Sequence, residues 1–257
     1  MPLLPERTVP ESLDEELPRM SLMEHLEELR KRILWSLVSL AIALWPCWSF
    51  REQIVEFLSR PLKQYNADLK LAFLGVTDPF ILYFKVSALA AVFLASPFIL
   101  YQFWRFVAPG LYRKEKLYAV PFIVFSTFFF LAGGAFGYYV AFPSAVNFLL
   151  DMGRQFAPVI TIERYFSFLI TVILGLGLMF ELPIVVLVLV MLGVVSPGFL
   201  LHHWRVAVIL IFVVAAIVTP TTDIVNLCIF AVPATVLYLL GIGASYLVAP
   251  KRPKEDL

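Results

Sequence analysis

The chain has 257 residues, 61% of them hydrophobic and 15% charged, with a net charge of +1 and a mean hydropathy of +0.87. A soluble domain carries about 25% charged residues, so this composition excludes an ordinary globular protein and indicates a polytopic membrane protein. The near-zero net charge argues against a nucleic-acid partner. The two cysteines, Cys47 and Cys228, lie in apolar segments without metal-ligand spacing and read as small buried hydrophobes.

Residues 1–20 are rich in proline and acid and resemble neither a signal peptide nor a transit peptide. They read as a disordered cytosolic tail. Ser21 and Glu24 have capping-box spacing, which predicts an amphipathic helix. Leu22, Leu26, Leu29 and Ile33 share its apolar face. This helix runs into a first span, Ile33 to Phe50, with a kink expected at Pro46.

Residues 51–78, broken by Pro61, predict short helices forming a cap on the outer surface. A second span runs from Phe80 to about Trp104, with Lys85 near its start and placed to snorkel outward. A charged loop broken at Pro109-Gly110 leads to a third span, about Leu117 to Phe142. There Gly133, Gly134 and Gly137 permit close helix contact. Residues 143–164 read as a second outer loop.

The fourth span, Tyr165 to Val195, contains Glu181. A carboxylate at that depth is costly, about 2.5–3.5 kcal/mol on insertion scales, and usually functional. Pro183 cannot donate to the carbonyl of Met179, and a protonated Glu181 is placed to serve that carbonyl instead. The fifth span, Trp204 to Val218, has 15 residues, and a Thr219–Asp223 turn joins it to the sixth, Ile224 to Val248. Asp223 reads as the cap of that last helix. Lys and Arg favour the side of the N-terminus by thirteen to six. By the positive-inside rule this predicts six transmembrane helices with both termini cytosolic. The organisation expected is a tail (1–20), one all-α transmembrane domain (21–249) and a second cytosolic tail (250–257).

No catalytic motif is visible: there is no HExxH, GxSxG, P-loop or cysteine cluster. Neither an enzyme nor a bound metal or cofactor is expected. Glu28 and Glu115 fall on the cytosolic side. Each has a plain reading, as an i,i+4 partner of Arg32 and as a solvated loop carboxylate. Together they also form an acidic patch able to bind guanidinium groups bidentately. Glu181 allows a competing function, a proton-coupled small-solute transporter with this residue as proton carrier.

Several blocks of the chain resemble the TatC family, the multi-spanning subunit of the twin-arginine protein translocase. They are His25-Leu-Glu-Glu28-Leu-Arg-Lys-Arg32, Ser96 to Trp104, Phe106 to Glu115, Phe180-Glu181-Leu-Pro183, and Thr219-Pro220 with Asp223. The resemblance implies a receptor for twin-arginine signal peptides of folded cargo, working in the inner membrane with TatA- and TatB-type single-span subunits and the proton gradient. It implies that Glu28 and Glu115 receive the arginines and that Arg30, Phe106, Pro109 and Leu111 shape their site. It further implies that Glu181 faces a groove for partner helices, that Pro61 belongs to the outer cap and that Asp223 lies near a partner contact. The short fifth and sixth spans would thin the bilayer locally. The chain departs from the family in the extra residue of the Thr219–Asp223 turn and in Leu239, where many members carry an acid.

Overall fold

The computed structural model describes residues 22–65, 71–107, 119–219 and 223–248. These form ten α-helices: α1 (Leu22–Ser49), α2 (Arg51–Tyr65), α3 (Asp78–Val107), α4 (Ala119–Phe136), α5 (Phe142–Met152), α6 (Ile162–Met179), α7 (Leu182–Met191), α8 (Pro197–His202), α9 (Trp204–Val218) and α10 (Ile224–Val248). Five helical stretches are long and apolar enough to cross a membrane: Met23–Ser49, Asp78–Val107, Val120–Met152, Ile162–Met191 and Ile224–Leu247. The shorter α9 is a sixth apolar helix with the bounds read from sequence. The sixth span was expected to be short as well. At 25 residues α10 measures about 37 Å, so α9 alone is short.

The outside of the bundle is as apolar as its inside. Trp45 and Leu247 are 81% and 89% exposed on the outside, while Val86, Leu169 and Leu176 are sealed within. Lipid, not water, is the solvent for the outer apolar surface. The helices pair chiefly as α1 with α3, α4 with α6, and α7 with α10. Close approach requires glycine at two of these seams. A Cβ on Gly133 would stand 2.6 Å from the Leu176 carbonyl oxygen, and one on Gly241 would stand 2.8 Å from the Cα of Pro183.

Prolines set the irregularities. Pro143 cannot donate a backbone hydrogen bond, and residues 143–164 were expected to be loop. Instead, a π-turn over Gly137–Ala141 absorbs the mismatch and the helix runs on to Met152. Where several short helices were expected over residues 51–78, residues 51–65 form a single helix, α2, with Pro61 inside it. Pro61 leaves the Phe57 carbonyl without its helical donor, and the Tyr138 hydroxyl from the π-turn donates to that carbonyl at 2.6 Å. Tyr165 of α6 donates to the neighbouring Leu58 carbonyl at 3.1 Å. Two buried tyrosines thus pin α2 to the bundle. The expected fourth span is broken at Phe180–Glu181, ahead of Pro183, into α6 and α7. Gly193, at φ +69°, closes α7 in the left-handed conformation that glycine tolerates.

Candidate functional site

The α1/α3 seam carries the first candidate site. Glu28 and Arg32 lie one turn apart on α1 and pair at 2.9 Å, with their side chains only 16% and 13% exposed. From α3, the amide oxygen of buried Gln102 accepts a second guanidinium hydrogen bond from Arg32 at 3.2 Å. One turn beyond, His25 stacks on Phe106 at 4.4 Å between ring centroids. The seam is therefore an alternating ladder of contacts between two helices. Glu28 keeps one oxygen, Oε2, buried and without a hydrogen-bond partner. An unsatisfied buried carboxylate oxygen is costly, and Arg32 Nε beside it is likewise buried without a partner among the described residues.

A second carboxylate stands at the α6/α7 break. The Ser126 hydroxyl of α4 lies beside the Glu181 carboxyl group, and Ser126 accepts from Trp104 Nε1 at 3.3 Å. Trp104 stacks on Phe122 in a small core completed by Ile184, Val188 and Met191. Glu181 Oε1 is buried without a partner. Ser126, from another helix, is thus a polar neighbour of the Glu181 carboxyl group.

The structure brings Glu28 and Phe106 to one seam. It leaves Arg30 exposed, lining a shallow groove with Glu27, Leu34 and Trp35 instead. Glu181 forms a separate site. Pro61, within α2, lies at the other end of α1 from Glu28. Asp223 caps α10: its Oδ1 accepts from the Asn226 backbone N–H at 2.7 Å, and its Oδ2 accepts from the Asn226 side chain at 2.8 Å. Pro109, Leu111 and Glu115 lie outside the described residues. Gln102, Ser126 and Trp104 received no role in the sequence reading. Their partners come from other helices, and the only hint was a polar residue within an apolar run. Among the described residues, no three His, Cys, Asp or Glu side chains gather in a way that could hold a metal ion. Cys47 and Cys228 are free thiols.

A family model described as Sec-independent protein translocase protein (TatC) matches residues 24–233. The chain belongs to the TatC family. The TatC protein of Koribacter versatilis is 47% identical over 245 residues, covering 94% of this chain and 90% of that protein. The TatC protein of Deinococcus radiodurans is 35% identical over 257 residues, covering 98% and 95%. A crystal structure of the twin-arginine translocase receptor TatC in DDM superposes with a TM-score of 0.79 at 33% identity, covering 86% of this chain and 99% of that one. Membership in the TatC family makes this chain a membrane-embedded component of a protein translocase, a transport protein.

Proposed function

We propose that this protein is the signal-peptide receptor and scaffold of a twin-arginine translocase exporting folded proteins across the cytoplasmic membrane. Six helices span the bilayer with both termini cytosolic, α9 being the short fifth. The twin arginines bind Glu28 and Glu115 at the cytosolic face, with Arg30, Phe106, Pro109 and Leu111 around them. TatA- and TatB-type single-span subunits dock beside Glu181 and near Asp223, and the proton gradient drives transport.

The observation that carries this reading is the half-satisfied Glu28. One oxygen is held in place by Arg32, which is itself fixed to Gln102. The other has no partner among the described residues. A pre-oriented carboxylate loses little freedom when it accepts a guanidinium, and that lowers the cost of binding. A planar guanidinium fits such an acceptor better than an ammonium does.

Binding of a twin-arginine signal peptide to the protein in nanodiscs, beside a twin-lysine control, tests the proposal. Arginine-selective binding is expected, with about a tenfold or greater loss in Glu28→Gln or Glu115→Gln, in line with a charge-assisted hydrogen bond. Equal binding of the two peptides would refute it. Uptake of a small solute by the purified chain alone in proteoliposomes, lost in Glu181→Gln, would favour the transporter instead.

A further inference from the structure

Lys85 is a cation in an apolar span that the receptor reading leaves without a role. It projects from α3 toward α6, where its Nζ donates to Ser167 Oγ at 3.2 Å. Among the described residues no ion pair includes it. It stands at the head of a groove of about 350 Å³ between the two helices. Below it, Ala88, Val92, Ile170 and Leu174 give the groove apolar walls, and Thr171 turns its hydroxyl to the Ser167 carbonyl.

Depth follows from helix geometry. The Ala72–Thr161 bridge holds the chain just before α3 beside the start of α6. Lys85 lies seven residues into α3 and Ser167 five residues into α6, about 10 and 8 Å at 1.5 Å per residue. The 30 residues of α3 make about 45 Å, enough to span hydrocarbon and both headgroup layers. The Lys85 Cα therefore falls just inside the hydrocarbon boundary, with its ammonium in reach of the phosphate layer. Polarity then decreases along the groove toward the bilayer centre, the profile of a phospholipid. Glu163 and Arg164, about one turn before Ser167 on α6, are both exposed and opposite in sign, whereas the groove lining itself carries Lys85 as its one charged side chain among the described residues.

We propose that this groove binds one anionic phospholipid, its phosphate on Lys85 and the Ser167 hydroxyl and an acyl chain along Ala88, Val92, Ile170 and Leu174. The full chain, purified in detergent, is offered phosphatidylglycerol or phosphatidylcholine of identical acyl chains, and retained lipid is read by native mass spectrometry. Phosphatidylglycerol is expected to be retained about fivefold better, the worth of one lysine at an anionic surface. Lys85→Gln should abolish the preference and Lys85→Arg keep it. Ser167→Ala, which leaves the charge in place, should weaken retention about threefold, so the result does not hang on one variant's folding. Equal retention of the two lipids, or a preference unchanged in Lys85→Gln, would overturn the proposal. So would zero-length carbodiimide coupling of Lys85 to a carboxylate on a neighbouring helix in native membranes, which would make the occupant protein.

Discussion

Glu28 and Glu181 are two versions of one arrangement. In each, one carboxylate oxygen is buried without a hydrogen-bond partner among the described residues, beside a polar side chain. The neighbours differ. Glu28 leans on a guanidinium from its own helix that is braced by Gln102. Glu181 lies beside the neutral Ser126 hydroxyl of another helix, which accepts from Trp104. Gln102 and Trp104 come from one turn of α3, which sends the first toward α1 and the second toward α4. The contrast separates two ways of keeping a carboxylate in a membrane protein. A formal counter-charge fixes an anion, whereas a hydroxyl can hold an anion or an acid.

Gly133→Val attacks the Glu181 half alone and should have the largest effect. The added side chain meets the Leu176 carbonyl and the Phe180 Cβ, and wedging α4 from α6 should cost about 3 kcal/mol. Thermal unfolding in detergent measures this, with Gly198→Ala, which meets nothing within 4 Å, as the silent control. Arg32→Ala attacks the other half. It strands Glu28 without its cation and should lower stability by about 2 kcal/mol, below the 3–5 of a fully buried pair because both groups retain some exposure. Arg32→Lys should restore part of that loss but not the selectivity of peptide binding. The smallest effect sharpens the contrast most directly. Glu181→Gln keeps a polar group of the same size beside Ser126 and should change stability by less than about 1 kcal/mol. Glu28→Gln should cost more, because it removes a charge that faces a charge. Equal losses in the two Gln variants would show that the neighbours do not distinguish the sites.

Some of this was legible in the sequence because it is local. The bounds of α9 follow from the apolar run Val206 to Val218, headed by Trp204-Arg205 and closed by Thr219, and the Asp223 cap from an Asp three residues ahead of Asn226. The Glu28–Arg32 pair follows from i,i+4 spacing on one helix. What escaped was tertiary. Pro143 looks like a helix stop unless a π-turn precedes it, and that turn is held by packing against α6. For Glu181 only the neighbouring Met179 carbonyl was in view, and Ser126, 55 positions away, was not. Gln102 lay inside a block already singled out by resemblance, but nothing local showed that it reaches for Arg32.

The shortness of α9 has an electrical side. Its 15 residues measure about 22 Å, against about 30 Å for a hydrocarbon core. Where the bilayer adapts to this helix, the same membrane voltage falls across a thinner wall. The field beside α9 is then about 1.4 times that elsewhere around the molecule. A unit charge crossing there gains the same total energy, about 2.3 kcal/mol per 100 mV, but gains it over a shorter path and under a stronger force.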